Sequence, residues 1–289
     1  MRAIHDVPAP AKLNLFLHIT GRRDDGYHLL QSVFMLIDWC DTLQFELRED
    51  GGLSREDLTV ELPPDDLVLR AARALQSFTG CGKGAHIGVA KQVPAQAGMG
   101  GGSSDAASCL LALNRLWGLD LALPELERIG LALGADVPFF LRGHNAWVEG
   151  IGEDIAPLTG ETALPHGRFA VLKPSAGIDT RTIFSSPHLK RDTSAAKIMG
   201  FAAATTENKF EFGTNDLQPV AQALCPEVTQ AIEWFASQGL KARMTGSGSA
   251  VFAATSQDID WSSAPVGSTH RQCGSLDIHP LAGWASSAR

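Results

Sequence analysis

The residues best suited to chemistry lie in one stretch at positions 94–107, which reads PAQAGMGGGSSDAA. Four glycines and two serines stand there between a predicted strand and a predicted helix. Glycine lets the backbone approach an anion closely, and the first N–H groups of a helix are unpaired donors at the positive end of its dipole. The pattern therefore predicts a loop that binds phosphate.

This glycine loop differs from two common nucleotide motifs. No Gly-Lys-Ser/Thr follows, so it is not a Walker A loop, and Ser103 stands where a Rossmann fingerprint needs its last glycine. The alternative is a flexible turn whose serines cap the helix. Four glycines within residues 98–102 cost more conformational entropy than a turn requires, so phosphate binding is favoured.

A second run of small residues, TGSGS at 245–249, lies between two strand-like segments. Alone, it is better explained as a hairpin turn. In a chain that already holds a phosphate loop, it is a candidate for the second wall of the same site.

Three polar residues have two possible roles each. Lys12 and Asn14 lie on one side of a predicted strand, opposite Leu13 and Leu15, and the period does not decide whether that side faces solvent or an active site. Asp136 comes just before Val137-Pro138, where the pattern favours a helix N-cap over a general base for a hydroxyl nucleophile.

The single tyrosine, Tyr27, precedes His28 after a charged loop. A buried aromatic residue at the start of the next strand explains Tyr27 at least as well as a binding role does.

These residues must be positioned by a mixture of strands and helices. Alternation predicts strands at 13–19, 29–37 and 42–47, with a turn at 38–41, and a surface turn at 49–57. Helical spacing predicts helices at 65–78, from the glycine loop to Trp117, and at 124–134, and further strands are expected at 87–93, 168–172 and 241–245. Without a regular βαβ alternation, this order favours an α+β fold.

Length and composition limit the class of protein. A chain of 289 residues suggests two domains, which we place at 1–157 and 158–289 because 157–167 is rich in proline, glycine and polar residues. The net charge of −8 argues against a nucleic-acid partner. The five cysteines are scattered, which indicates reduced thiols. The sequence shows neither an apolar signal region nor a span of about 20 apolar residues, so we expect a cytoplasmic protein without membrane contact.

The motifs together resemble the GHMP kinase superfamily. The matching segments are PAKLNLFLHITGRRDDGYHLLQSVF at 10–34, VPAQAGMGGGSSDAA at 93–107, LGADVPFF at 133–140, NDL at 215–217 and MTGSGSAVFA at 244–253. They recur in the family's order over nearly the whole chain. The GRRxDGYHxLxSVF segment is most similar to the branch that phosphorylates the 2-hydroxyl of 4-diphosphocytidyl-2-C-methyl-D-erythritol, a step in non-mevalonate isoprenoid synthesis.

The resemblance implies a two-domain α+β fold with ATP and substrate in a cleft between the domains. It implies that the γ-phosphate of ATP is transferred to a small molecule carrying a cytidine diphosphate. Mg²⁺ is inferred from this chemistry, and we expect a monomer or weak homodimer. By position, Lys12 and Asp136 match the catalytic pair. The ATP site is matched by Lys91, Pro94, Gly98, Met99, Gly100, Gly101, Gly102, Ser103 and Ser104, and substrate contacts are matched by Asn14, Tyr27, His28, Thr180 and Phe184.

Some positions depart from the family pattern. Asp66 stands where asparagine is usual near the adenine, Met99 replaces leucine, Thr245 replaces serine, and Ile178-Asp179-Thr180 replaces Val-Ser-Thr. Two rival hypotheses remain, namely a GHMP kinase acting on mevalonate or homoserine, and a sensor that binds nucleotide without turnover. The presence of both Lys12 and Asp136 counts against the sensor.

Overall fold

A computed structural model describes residues 1–204 and 206–287, with side chains left aside at 206–208. Ten strands and nine helices are found within that part of the chain. The strands are β1 (Ala3–Arg22), β2 (His28–Arg48), β3 (Leu53–Asp57), β4 (Gly84–Ala90), β5 (Ala146–Glu149), β6 (Asp154–Pro157), β7 (Arg168–Lys173), β8 (Arg243–Met244), β9 (Val251–Ala254) and β10 (Thr269–Leu276). The helices are α1 (Leu67–Thr79), α2 (Gly101–Trp117), α3 (Leu123–Leu133), α4 (Val137–Arg142), α5 (Thr180–Ser185), α6 (Ile198–Ala202), α7 (Thr206–Glu211), α8 (Gln218–Leu224) and α9 (Pro226–Ser237).

The strands form one connected sheet in the order β3-β4-β2-β10-β7-β9-β8, while β1 and β5 also pair with β2, and β6 pairs with β5. Every pairing is antiparallel except that of β3 with β4. The predicted α+β class is therefore confirmed. Strand β10 joins the two ends of the sheet, because it pairs with β2 at Ser275 and Leu276 and with β7 along Thr269 to Gly274.

The predicted turn at 38–41 is wrong, because β2 runs unbroken from His28 to Arg48. The polar residues that suggested a turn are accommodated inside the sheet. Asp41 is fully buried, and its carboxylate accepts hydrogen bonds from the backbone N–H groups of Gln92 and Val93. A shift in the β1–β2 register between Pro10 and Lys12 lets the pairing continue past this point. The predicted surface turn at 49–57 is also partly strand, since β3 covers 53–57.

Helix α1 shows how local sequence sets its bounds. The Asp66 carboxylate accepts from Leu69 N at 3.1 Å and caps the N-terminus, and Gly80, with φ of 67°, ends the helix in the left-handed conformation. Ala71 and Leu75 are fully buried in the core that α1 shares with α2. Phe78, near the end of the helix, is 38% exposed and lies under the Arg128 guanidinium.

Helix α2 follows the glycine loop and is buried almost all round, between α1, α4 and the β1–β2 pair. Helix α3, with Pro124 in its first turn and Gly134 as C-cap, packs against α4. The predicted helices after the loop and at 124–134 are thus confirmed. Their rigid packing fixes the start of α2, and with it the glycine loop.

Much of the second half of the chain packs in a part of the core that it shares with Leu17 and Ile19 of β1. Trp234 and Phe235 of α9 pack with apolar residues of β7, β8 and β9, whereas the first half packs around α1, α2 and β4. Strand β6 ends at Pro157, at the predicted 157/158 division, which stays a prediction because β10 pairs with strands on both sides of it. All five cysteines are free thiols. No helix of the described residues is long and apolar enough to cross a membrane.

Candidate active site

A cleft of about 730 Å³ opens beside the start of α2. Its walls come from β1, the glycine loop, the start of α1, the residue before α4, the start of α5 and the loop between β8 and β9. It brings together most of the residues predicted from sequence: Lys12, Asn14, Lys91, Pro94, Gly98, Met99, Gly100, Gly101, Gly102, Ser103, Asp136, Thr180 and Phe184.

The glycine loop leads directly into α2, and its backbone is shaped for an anion. Gly100 is the N-cap with φ of 70° and makes no side-chain capping bond. The first-turn N–H groups at Gly101, Gly102 and Ser103 have no partner within the helix. The alternative in which the serines cap α2 is wrong, since both lie inside the helix. The helix instead offers free N–H donors and a positive dipole end to the cleft.

The second small-residue run packs against this loop. A Cβ atom on Gly98 would lie 2.8 Å from Gly248 N, and one on Gly246 would lie 2.6 Å from Gly98 O. Both glycines also have positive φ, 71° at Gly98 and 54° at Gly246. Backbone hydrogen bonds from Ser249 N to Gln96 O and from Ala250 N to Ala97 O join the two loops. The 245–249 segment is thus both a hairpin connection between β8 and β9 and a wall of the cleft.

Lys12 and Asp136 face each other across the cleft floor. Lys12 Nζ lies 3.7 Å from Asp136 Oδ2, with Lys12 nearly buried and the Asp136 side chain 30% exposed. The lysine also lies over the Phe34 ring, 4.3 Å from its centroid. Burial lowers the pKa of Lys12, and the Asp136 charge partly offsets that effect. Asp136 stands at the N-cap position of α4 but makes no side-chain capping bond, so its carboxylate is free for chemistry.

Asn14 fixes the position of Lys12. Its Oδ1 accepts a hydrogen bond from Lys12 Nζ, and its Nδ2 donates to Ser32 Oγ at 2.9 Å. Its backbone N–H donates to Thr245 Oγ1 at 2.8 Å. Lys12 and Asn14 are 4% and 1% exposed, so the strand side that the sequence left undecided faces the cleft rather than solvent. This hydrogen bond explains why a residue with a hydroxyl group occupies position 245.

Lys91 is engaged by two buried carboxylates below the glycine loop. Its ammonium donates to Asp41 and, at 2.5 Å, to Asp105 of α2. Burial raises the pKa of Asp105 to about 7, although Lys91 acts in the opposite direction. Asp105 Oδ1 has no hydrogen-bond partner among the described residues, and Asp105 lines the cleft. Sequence reasoning assigned no role to Asp41 or Asp105; a charged residue within a mainly apolar strand was the signal available for Asp41.

Asp66 also lines the cleft, and its departure from the family pattern has a local explanation. Besides capping α1, it forms an ion pair with Arg55 Nη1 at 2.8 Å. The Arg55 side chain is only 8% exposed and also pairs with Asp57. A carboxylate at position 66 therefore balances a nearly buried guanidinium.

A second cavity of about 600 Å³ adjoins the cleft, since Leu30 and Phe184 line both. Tyr27 and His28 line it too, and the His28 and Phe184 rings lie 5.1 Å apart. Tyr27 is 60% exposed, so its interpretation as a buried core aromatic is wrong. Thr180 lies on the cleft side, where its hydroxyl shares a 2.6 Å hydrogen bond with Ser247 Oγ.

Ser104 is the one predicted site residue that lines neither cavity. It is fully buried in the first turns of α2, and its Oγ has no hydrogen-bond partner among the described residues. Within that same part of the chain, no group of three or more His, Cys, Asp or Glu side chains is placed to hold a metal ion. The cleft does present oxygen groups of Ser103, Asp105 and Asp136.

Family comparisons agree with this architecture. The family model described as "GHMP kinases N terminal domain" matches residues 66–144, and "GHMP kinases C terminal" matches residues 194–260. A protein of Variovorax paradoxus (strain S110) named 4-diphosphocytidyl-2-C-methyl-D-erythritol kinase is 67% identical, covering 99% of this chain and all of that protein. One of Paracidovorax citrulli (strain AAC00-1) with the same name is 66% identical, covering 99% of both.

Solved structures give the same picture. A crystal structure of 4-(cytidine 5'-diphospho)-2C-methyl-D-erythritol kinase superposes with a TM-score of 0.73 at 31% identity, covering 88% of this chain and 90% of that one. Homoserine kinase from Cytophaga hutchinsonii superposes with a TM-score of 0.70 at 16% identity, covering 96% of both chains, and shares the fold.

Proposed function

The chain belongs to the GHMP kinase family, and we propose on that basis that it transfers the γ-phosphate of ATP to the 2-hydroxyl of 4-diphosphocytidyl-2-C-methyl-D-erythritol. This reaction serves non-mevalonate isoprenoid precursor synthesis. The observation that carries the proposal is the junction of two cavities at Leu30 and Phe184. One contains the glycine loop with Lys12 and Asp136, and the other contains the aromatic residues suited to a nucleobase.

The phosphates of ATP bind at the glycine loop in this proposal. Free backbone N–H groups at the start of α2 donate to phosphate oxygens, and the helix dipole favours their negative charge. Lys91 supports this site indirectly, because its ammonium is held by Asp41 and Asp105 under the loop. We expect Lys91 to fix the path of residues 91–93 and the first turn of α2.

The reacting groups meet at Lys12 and Asp136. The substrate hydroxyl oxygen forms a bond to the γ-phosphorus while the bond to ADP breaks, and the hydroxyl proton passes to the Asp136 carboxylate. The Lys12 ammonium, oriented by Asn14, stabilises the charge on the transferring phosphoryl group. Because Lys12 is nearly buried, its charge acts with little screening by water.

Magnesium fits this cleft as an ion carried with ATP. Mg²⁺ prefers oxygen ligands and is held in kinases through one or two carboxylates plus substrate phosphates. The unpartnered Oδ1 of Asp105 and the uncapped carboxylate of Asp136 are oxygen groups of that kind. When bound, the ion would neutralise part of the negative charge on the phosphates.

The cytidine end of the substrate occupies the second cavity in this proposal. Tyr27 and Phe184 offer aromatic faces, and Arg22 and Arg181 on the wall offer positive charge to a diphosphate. Thr180 and Asn14 would contact the substrate nearer the reacting hydroxyl. The family-level rivals, mevalonate and homoserine, carry no base that would use the aromatic wall.

The test is a substrate panel. The full-length protein is incubated with ATP and Mg²⁺ and with the cytidyl erythritol, mevalonate, homoserine or no acceptor, and products are identified by mass and phosphorus NMR. We expect a phosphorylated product with the cytidyl substrate alone. Turnover of mevalonate or homoserine instead, or nucleotide binding without any turnover, would refute the proposal.

We further propose that the enzyme acts in the cytoplasm as a monomer or weak homodimer. Its relatives are bacterial enzymes of small-molecule metabolism, as their names indicate. Light scattering over a tenfold concentration range tests the oligomeric state, and a stable higher oligomer would contradict it. Cell fractionation tests the location.

A further inference from the structure

A hydrogen bond links His28, on the wall of the second cavity, to a residue that does not line that cavity. Arg191 Nε donates to His28 Nε2 at 2.9 Å. Three of the four remaining donors of the same guanidinium are used by backbone carbonyls at the end of α5 and in the segment after it. Nη1 bonds Leu189 O at 3.0 Å, and Nη2 bonds Phe184 O at 3.1 Å and Ser186 O at 2.8 Å.

This hydrogen bond determines which nitrogen of His28 carries the proton. A guanidinium can only donate, and a neutral imidazole has one donor nitrogen and one acceptor nitrogen. Nε2 must therefore present its lone pair to Arg191, so the proton resides on Nδ1. Nδ1 has no hydrogen-bond partner in the described part of the chain and is not buried, so its N–H is available to a ligand.

The charge around His28 keeps the ring neutral. Burial, Arg191 and Arg22 lower the pKa of His28, in that order of size. The other charged groups on the cavity wall are Asp25, which pairs with Arg23, and Arg181 of α5. Burial and the guanidinium groups of Arg191 and Arg22 disfavour the protonated form of the imidazole.

We infer that Arg191 is a positioning residue that holds His28 in the Nδ1–H form, so that the second cavity presents a fixed donor to the acceptor edge of a pyrimidine base. The inference deepens the proposed function and rests on its cytidine-bearing substrate. Cytosine places two acceptors, N3 and O2, side by side, which suits such a donor. Because Arg191 also holds the Phe184 carbonyl, one side chain orients both members of the His28–Phe184 pair.

The first test observes the tautomer of His28 directly. Long-range ¹H–¹⁵N spectra of the full-length protein identify the protonated nitrogen of each histidine, and loss of one signal set in a His28→Asn variant assigns His28 among the nine histidines. We expect the Nδ1–H pattern for His28 in the wild type and a shift toward the Nε2–H pattern in Arg191→Met. An Nε2–H pattern in the wild type overturns the inference.

The second test separates tautomer control from loop support. Arg191→Met should raise KM for the cytidyl substrate about 2- to 10-fold at pH 8, the worth of one hydrogen bond, with kcat and KM for ATP unchanged. Acidification from pH 8 to pH 6 favours the doubly protonated imidazole more in the variant than in the wild type, because one of the charges that lower the His28 pKa is removed, and this form restores the Nδ1 donor. KM should then move back toward the wild-type value, and a constant ratio at both pH values overturns the inference.

A His28→Asn background provides the matched control. The asparagine Nδ2 group takes the place of Nδ1–H and has no tautomers. Adding Arg191→Met in this background should therefore raise KM for the cytidyl substrate little further. An equal increase in KM in both backgrounds would show that Arg191 only supports the loop and would overturn the inference. Arg191→Lys retains one donor to His28 but loses the forked bonds to the backbone carbonyls, so it should keep the Nδ1–H pattern and a KM near the wild-type value; an Nε2–H pattern in this variant overturns the inference. Failure of the proposed function appears separately, as no turnover of the cytidyl substrate by a wild type whose His28 shows the Nδ1–H pattern.

Discussion

The Asp136 carboxylate lies 3.7 Å from Lys12 Nζ and makes no hydrogen bond to the helix that it precedes. A residue at an N-cap position usually stabilises its helix by such a bond. Here α4 begins without it, and the carboxylate is directed to the lysine. This geometry supports the proposed catalytic role of the pair and does not support a role of Asp136 as a helix cap.

The first prediction concerns Asp136→Asn. It removes the proton acceptor while nearly preserving shape, so kcat should fall by about 10²-fold or more. Because no capping bond is lost, α4 should stay folded, and the melting temperature should fall only through loss of the charge that offsets the burial of Lys12. Both substrates should still bind in calorimetry. A folded variant that turns over at the wild-type rate would exclude the mechanism.

The second prediction concerns Lys12. Lys12→Met keeps the apolar stem but removes the charge, and its loss in kcat should be non-additive with that of Asp136→Asn if the two act as one unit. The lowered Lys12 pKa also predicts an alkaline limb in kcat/KM for ATP that lies below pH 10.5, because the charged form is lost as pH rises. Independent, fully additive losses would contradict the paired role.

The third prediction concerns the contact between the two loops. Gly98→Ala introduces a Cβ atom that would clash with the Thr245 and Gly248 backbone, at a residue with φ of 71°. We expect weaker ATP binding, measured by titration calorimetry, together with a lower melting temperature. Gly82→Ala is the control, since a Cβ atom there meets nothing within 4 Å. A Gly98→Ala variant with normal ATP affinity would show that the loop is not part of the nucleotide site.

The fourth prediction concerns Tyr27. Base stacking on an aromatic face is worth about 1–3 kcal/mol in nucleic-acid binders, so Tyr27→Ala should raise KM for the cytidyl substrate about fivefold or more. Because Tyr27 is 60% exposed, stability and KM for ATP should not change. Phe78→Ala, at another exposed aromatic that lines neither cavity, is the control and should leave both KM values unaffected.

The fifth prediction concerns Asp105. Its pKa is raised from 3.8 to about 7 in the folded protein, so the folded state binds an extra proton between these values. Stability from this group is therefore lost as pH rises through that window. In Asp105→Asn the loss is absent, so the melting temperature of the variant relative to wild type should increase from pH 4 to pH 8. A difference that does not depend on pH would show that Asp105 is already ionised at low pH.

Local sequence signals predicted the first three helices well, because Asp66 and Gly80 mark the ends of α1 and the apolar spacing marks its buried face. The helices of the second half of the chain were not individually predicted. The same signals failed at residues 38–41, where a buried carboxylate is satisfied by amides some fifty positions away, a contact that no local pattern encodes. The period of β1 put Lys12 and Asn14 on one face, but only tertiary structure shows that this face is the cleft.

The substrate-site residues show the same limit. The glycine loop could be identified because its composition departs from an ordinary turn, and the resemblance to GHMP kinases supplied Tyr27, His28 and Phe184. Arg191 has no motif of its own, and its importance comes from four acceptors that only the folded chain brings together. Asp105 stood within the loop motif, yet its partner Lys91 became apparent only in the structure.

Strand β10 has a consequence for the order in which the chain can fold during synthesis. It inserts between β2 and β7, and Gly274 N donates to Asp38 Oδ1 across a separation of 236 residues. Until the ribosome has released that strand, β2 keeps an unpaired edge along Leu36 and Ile37, and the two sheet ends stay unconnected. The two parts of the sheet can therefore be joined only after almost the whole chain has been made, which makes this junction a late step of folding.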